Sequence, residues 1–158
     1  MSSLTISSQR KEEIAVLAVA RRFLGGLKAR DPASMHSCTL PTSHALLIRP
    51  SPDARSGKTP SSSQLPKQIL HLTLAQVVDR IPWDSPESIE ENIARADWEE
   101  GDDGDKYGGR KTEVRVDGDL AMVWTPYEVR KDGLLTHNGT NVFTFAKDVH
   151  QKLVDMMR

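Results

Sequence analysis

The sequence predicts an α+β fold in which N-terminal helices pack on one face of an antiparallel sheet. Between residues 11 and 29 the apolar residues recur every three or four positions, which is typical of an amphipathic helix; from Thr112 onward they alternate every second position, as in strands. The length of 158 residues suits one domain. We therefore expect residues 1–158 to form a single unit, with surface loops at residues 51–64 and 99–109.

Charge and cysteine content exclude several classes of function. The chain carries 21 Lys and Arg against 22 Asp and Glu, so its net charge of −1 gives no bulk attraction to polyanions, and we expect neither nucleic acid nor a membrane as partner. One cysteine, Cys38, excludes an internal disulfide framework and a thiolate metal cage, and no histidines have zinc-ligand spacing. We expect a cytoplasmic protein without metal or cofactor.

The first half of the chain predicts helices separated by short strands. Gly25 and Gly26 lie late in the helix at 11–29 and indicate either close packing against a neighbour or an early end. Further elements follow from caps and short apolar runs. They are a short helix starting at Asp31-Pro32, strands at 45–48 and 69–72, a helix at 74–81 opened by Thr73 and Gln76, and a helix starting at Asp84 that carries Ile89 and Ile93.

The second half predicts a meander of strands, closed by a last strand at residues 151–157. Asp132-Gly133 is the dipeptide that most favours a two-residue hairpin turn, and it sets the register of the strands on either side. In that register the large apolar residues share one face. The pairs on that face are Trp124 with Asn141, Met122 with Phe143, Leu120 with Phe145, and Glu128 with His137.

The preceding hairpin must place its own apolar residues on the same face. A two-residue turn at Asp117-Gly118 would put Glu113 and Arg115 there. A three-residue loop ending at Asp119 puts Val114 and Val116 there instead, so burial favours the longer loop.

The face covered by helices is therefore apolar at one end and polar at the other, as a small-molecule pocket requires. Met122 and Phe143 are the candidate apolar walls. At the polar end a carboxylate, Glu128, opposite His137 predicts an acid/base pair in which Glu128 orients the imidazole. Trp124 and Asn141 are candidates for positioning a ligand, and the simpler alternatives are a rim ion pair for Glu128 and His137 and a core role for Trp124.

The opposite face of the sheet offers a second type of function. Small and β-branched residues line it in the predicted register, and such a surface suits a homodimer or another protein. These residues are Val123, Tyr127, Val129, Thr140 and Val142.

Residues 117–128, the Asp132-Gly133 turn and residues 137–144 resemble the SnoaL-like and lumazine-binding-like proteins of the nuclear transport factor 2-like superfamily. The resemblance implies a cone of curved antiparallel sheet around three helices, which commonly dimerises through its outer face. It also places Trp124, Glu128 and His137 at pocket positions. Two residues depart from the family pattern: Asn141 stands where relatives often have aspartate, and the last strand has no tryptophan.

Together these features predict a cone protein that binds a small, mostly apolar organic molecule. Members of the superfamily include isomerases, dehydratases and polyketide cyclases, so a cofactor-independent acid/base enzyme is one expectation. A noncatalytic dimerisation or protein-interaction module of the same fold is the alternative, because fold alone does not decide function.

Overall fold

The computed structural model describes residues 7–41, 43–50 and 67–147 and confirms the α+β class. The predicted loop at 51–64 and the predicted strand at 151–157 lie outside the described residues. No helix among the described residues is long and apolar enough to cross a membrane. The elements are α1 (Ser8–Ala29), α2 (Pro32–Ser37), β1 (His44–Pro50), β2 (Lys67–Thr73), α3 (Leu74–Asp79), β3 (Ile89–Ile93), β4 (Glu113–Asp117), β5 (Leu120–Lys131) and β6 (Leu134–Ala146).

Helix α1 supplies the largest share of the core. Its apolar stripe is buried, as the spacing predicts, and includes Val16, Ala20 and Phe23. A side chain at Gly26 would collide with Met35 of α2, so this glycine lets the two helices pack closely. Of the two interpretations of the glycine pair, close packing is therefore the one that holds, and α1 continues past it to Ala29.

The predicted caps and the two predicted short strands, at 45–48 and 69–72, are confirmed. The Asp31 side chain accepts a hydrogen bond from the Ser34 amide and opens α2, while Thr73 and Gln76 form a reciprocal capping box at α3. Strands β1 and β2 pair antiparallel, with His44 opposite Thr73. Helix α3 ends at Asp79, two residues before the predicted end.

The predicted helix after Asp84 is wrong, because Ile89–Ile93 forms strand β3. Asp84-Ser85-Pro86 favours a turn as readily as a helix start, and Ile89 and Ile93 are also compatible with the alternation of a strand. Strand β3 pairs antiparallel with the second half of β5, from Ile89 opposite Lys131 to Ile93 opposite Tyr127.

Strand β5 is the centre of the larger sheet. Its 12 residues pair with β6 along one edge, while the other edge pairs first with β4 and then with β3. Buried hydroxyls fill the junction between those two partners: Thr112 Oγ1 donates to the Ala94 carbonyl and lies 2.6 Å from Thr125 Oγ1. Strand β5 is thus the pairing partner of each of the other three strands of this sheet.

The predicted register of β5 and β6 is wrong by one residue over most of its length. The turn itself is confirmed, since Asp132 (φ 48°) and Gly133 (φ 78°) both occupy the left-handed region. A β-bulge between Val129 and Arg130 then inserts Thr136, whose hydroxyl donates to the Val129 carbonyl at 3.0 Å. The observed pairs are Trp124 with Val142, Met122 with Thr144, Leu120 with Ala146, and Glu128 with Asn138.

The bulge changes which face of β5 meets the helices. We call the helix-covered side, with Ala121, Val123 and Phe145, the inner face; all three residues are at most 2% exposed. Phe143 joins them and packs edge-to-face on Phe23 of α1, with ring centroids 6.4 Å apart. Leu120, Met122 and Trp124 lie on the opposite side, the outer face, which corrects their predicted place toward the core.

The β4–β5 turn also differs from its prediction. Asp117 lies opposite Leu120, so the turn is the two residues Gly118-Asp119, not a three-residue loop, and Gly118 takes a φ of 57°. Val114 still reaches the core, because it pairs with Val123 on the inner face. Burial of the β4 valines was the correct criterion, while the loop length inferred from it was wrong.

Candidate functional site

Two adjoining cavities lie between α1 and β3. The larger, about 380 Å³, is lined mostly by charged side chains of α1 and the loop after β3. Those charges are already paired: Arg21 binds the Glu99 carboxylate through both terminal nitrogens, and Arg95 Nε lies 3.4 Å from Asp103. The charged groups of this cavity therefore already have partners within the protein, and few remain to bind a charged ligand.

The smaller cavity, about 260 Å³, is lined by apolar and charged residues together, and two of them, Glu90 and Glu91, carry carboxyl groups. Leu24 and Ile93 line it, and Gly25 leaves open space where a side chain would stand. Lys28 lies at its rim, paired with Glu90 at 3.0 Å. A cleft that combines some apolar wall with convergent polar groups can hold a small organic ligand.

Glu91 is the chemically distinctive residue of this cavity. Burial raises the pKa of its carboxyl above the ordinary 4.5, and a hydrogen bond from Asn141 Nδ2 lowers it in part. Among the described residues no cation contributes to the pKa of Glu91, which burial and Asn141 alone determine. A carboxyl held by an amide in place of a cation keeps its proton to higher pH and can donate it.

Tyr127 and His137 lie on the same inner face as Glu91. Glu91 and His137 both pair with Val129, one from each neighbouring strand, so their backbones lie about 10 Å apart across three strands. The Tyr127 ring covers Gly139 and contacts the His137 ring edge-to-face at 5.9 Å. Burial and the nearby Glu91 raise the Tyr127 pKa, so this phenol stays protonated at neutral pH.

The bulge residue orients the exposed imidazole of His137. Thr136 Oγ1 gives its proton to the Val129 carbonyl and lies 3.3 Å from His137 Nδ1, so Nδ1 is the donor to this oxygen and Nε2 is left as an acceptor. Burial and then the charge of Lys131 lower the His137 pKa below 6.5. His137 is therefore neutral at physiological pH and can accept a proton at Nε2.

Glu128 does not reach His137, because it lies on the outer face. Its carboxylate is 3% exposed and is held by Lys106 Nζ and Arg130 Nε, each at 2.8 Å. The hydrogen bond from Arg130, followed by that from Lys106, lowers the Glu128 pKa below 4.5. The predicted cross-strand pair with His137 is thus wrong, and Glu128 instead anchors the loop at residues 99–109 to β5.

The remaining predicted site residues divide between the two faces. Asn141 lies on the inner face and reaches the cavity through Glu91, and Phe143 packs in the core next to it. Trp124, 47% exposed, and Met122 lie on the outer face, away from both cavities. The structure therefore brings His137, Asn141 and Phe143 to one face and separates them from Trp124, Met122 and Glu128.

Sequence reasoning missed Glu91 and Tyr127 as members of this site. Glu91 was assigned to a helix, and the sequence signal that could have placed it correctly is the alternation of Ile89, Glu91 and Ile93, which predicts a strand with one polar residue on its apolar side. No group of three or more metal-ligating side chains occurs among the described residues. No family model, curated protein or solved structure matches the chain.

Proposed function

We propose that this chain is a small-molecule-binding protein of the SnoaL-like, cone-forming type, whose ligand lies in the smaller cavity against Glu91. One observation carries the proposal: a partly buried carboxyl that is bonded to the amide of Asn141 belongs to a residue that lines a cavity, beside Leu24 and Ile93. Burying a carboxyl costs free energy, because desolvation disfavours its charged form. Carboxyl groups with a pKa raised in this way are common at functional sites.

The types of element support the same proposal. Three helices and an antiparallel sheet are present, and the family resemblance implies both. The apolar stripe of α1 packs on the inner face of that sheet, so the cavity lies between a helix and a sheet.

In its catalytic form the site moves a proton without a cofactor. Glu91 is the acid, since its pKa is raised, and His137 Nε2 is the base, since its pKa is lowered and its other nitrogen is held by Thr136. His137 lines neither cavity, so the catalytic form requires a ligand that extends from the smaller cavity across the inner face to His137. An acid and a base on one face suit isomerisation, dehydration or cyclisation of a compound with an acidic C–H next to a carbonyl. Asn141 positions the Glu91 carboxyl and is not itself a base.

A thermal-shift screen of small cyclic ketones and enones tests binding. Compounds that raise the Tm of the wild type are expected to lose that effect in Gly25→Leu, because leucine fills the open space beside Gly25 while favouring the helix. Glu113→Gln, on the exposed side of β4, is the matched control and keeps the shift. Equal ligand shifts in Gly25→Leu and in the control would contradict the proposed cavity.

Solvent deuterium exchange into a bound compound tests the chemistry. The wild type is expected to introduce deuterium next to the carbonyl, and Glu91→Gln and His137→Ala each abolish the exchange while binding persists. Exchange at the wild-type rate in both variants would contradict the roles given to Glu91 and His137, whereas a wild type that introduces no deuterium would leave a binding protein without acid/base chemistry.

A noncatalytic interaction module is the second candidate, and the outer face favours it. Leu120, Trp124 and Val142 are each about half exposed there, on neighbouring positions of β5 and β6. These residues replace the predicted set, since Val123 and Val129 are buried on the inner face. A homodimer of stacked outer faces is expected to dissociate on Trp124→Arg, measured by sedimentation equilibrium, and a wild-type monomer would exclude it.

A further inference from the structure

The larger cavity, about 380 Å³, has the size of an ordinary ligand site and adjoins the Glu91 cavity. Helix α1 contributes Arg21 to its lining, β3 contributes Asn92 and Ile93, and the loop after β3 contributes the other residues, from Arg95 to Tyr107. Three of the lining residues are cations and three are acidic. The cavity is therefore strongly polar but carries no net charge.

Two of these cations are fixed by partners from other elements. Arg21 of α1 binds the Glu99 carboxylate of the loop with both terminal nitrogens, and that carboxylate also accepts from the Ala96 amide at 2.7 Å. Lys106 Nζ of the loop lies 2.8 Å from the Glu128 carboxylate of β5. A ligand with a charge of its own would have to compete with these strong pairs, so the cavity favours a neutral ligand.

The third cation, Arg95, is held by the turn that follows it. Its Nε lies 3.4 Å from the Asp103 carboxylate, its backbone amide donates to the same carboxylate at 2.9 Å, and its Nη1 donates to the Glu100 carbonyl. Gly101, with a φ of 104°, leaves the space for this guanidinium, since a Cβ there would collide with Arg95 Nη1. The loop therefore fixes this arginine at the wall of the cavity.

Among the described residues, the ion pairs leave hydrogen-bond donors to spare. A guanidinium has five N–H donors and an ammonium has three, whereas Arg21 uses two and Lys106 one in the contacts above. The side chains of Arg21, Arg95 and Lys106 are 41%, 46% and 39% exposed, so a ligand can reach them. Asn92 adds an amide with both donors and an acceptor. Fixed donors and acceptors without net charge match hydroxyl groups, each of which both donates and accepts.

We propose that the larger cavity binds a neutral polyhydroxylated molecule with the size of one sugar ring or cyclic polyol ring. Hydroxyl groups of the ring accept from Arg95 and Lys106 and donate to the lining carboxylates, while the ion pairs stay closed. Ile93 and Tyr107 supply the apolar part of the lining for the C–H groups of the ring. Binding here does not require a ligand at Glu91.

Backbone amide chemical shifts, titrated with neutral hexoses and with myo-inositol, test the proposal. They are preferable to thermal shifts, because sugars stabilise any folded protein by exclusion from its surface. At least one compound is expected to shift the amides of residues 92–107 saturably, with a Kd in the millimolar range. The corresponding hexuronate or inositol phosphate is expected to bind more weakly, because every lining cation already has an acidic partner.

A pair of arginine variants tests the residues of the site. Arg95→Met removes a guanidinium that lines the larger cavity and not the smaller, and Kd is expected to rise at least about tenfold. Arg95→Lys keeps a cation beside Asp103 but loses the planar guanidinium, so Kd should rise less. Arg115→Met is the matched control, since Arg115 also lies in an exposed ion pair, 3.5 Å from Glu113, but lines neither cavity; Kd is expected to stay unchanged.

Gly25→Leu, which fills the smaller cavity, separates this site from that of Glu91 and is expected to leave the binding of these compounds unchanged. Four results would overturn the proposal: no saturable shift with any neutral compound, tighter binding of the acidic derivatives, equal Kd in Arg95→Met and Arg115→Met, or loss of binding in Gly25→Leu. The effect of Gly25→Leu on ketone binding is measured separately, so the two proposed sites can fail independently.

Discussion

The two faces of the β5–β6 hairpin both carry apolar side chains, yet the structure buries only one of them fully. The inner face holds small residues of β5, Ala121 and Val123, next to Phe145, and the outer face holds the larger Leu120 and Trp124. Side-chain size therefore did not decide which face meets the helix. The bulge at Val129 and Arg130 determines which face packs on the helix, because it brings the phenylalanines of β6 to the side of the small residues of β5.

The largest expected difference between the faces is in folding stability. Phe145→Ala is expected to lower the free energy of unfolding by about 3–5 kcal/mol, since it opens a cavity under α1. Trp124→Ala removes a larger but half-exposed side chain and is expected to cost about 1 kcal/mol or less. Urea denaturation of the two variants measures both values, and a greater loss in Trp124→Ala would mean that the faces have been exchanged.

A smaller effect is expected from the carboxylate of the outer face. Glu128→Gln weakens the contacts to Lys106 and Arg130 and is expected to cost about 1–3 kcal/mol at pH 7. Because the folded pKa of Glu128 is lowered, its stabilisation is present above the ordinary pKa of 4.5 and is lost as pH falls through the folded value. The difference between wild type and variant should therefore shrink in acid, and a difference that does not change with pH would contradict the ion pairs.

The carboxyl of the inner face is expected to show the opposite pH dependence with a smaller amplitude. The folded pKa of Glu91 is raised, so its contribution to stability is fully present below 4.5 and is lost as pH rises through the folded value. Glu91→Gln does not titrate, and its stability relative to wild type should increase from pH 4 to pH 8. Denaturation curves at several pH values test this, and a relative stability that falls with pH would show that Glu91 is ionised and paired.

Local signals in the sequence were enough for much of the fold. Helix α1, the caps at Asp31 and Thr73 and the turn at Asp132-Gly133 depend on residues close together in the chain, and all are confirmed. The register beyond the turn depends on one inserted residue, Thr136, which has the same strand preference as its neighbours. No local pattern distinguishes a bulge residue of this kind from a regular one.

The composition of the candidate site depends on the same β5–β6 register. His137, Asn141 and Phe143 belong to β6 and stay together in either register, so the sequence grouped them correctly. Trp124, Met122 and Glu128 belong to β5, and the predicted register, which lacks the bulge, placed them on the wrong face. Glu91 could be found only after β3 was recognised as a strand, because its contact with Asn141 joins residues 50 positions apart.

The register of β5 and β6 is the central claim, because it decides which side chains of these two strands lie on the helix-covered face with Asn141, the partner of Glu91. Cross-strand nuclear Overhauser effects measure it directly in the isotopically labelled protein. The structure predicts contacts between the backbones of residues 124 and 142 and of residues 123 and 143. Contacts of residue 124 with 141 and of residue 122 with 143 would contradict it and would return Trp124 and Met122 to the helix-covered face.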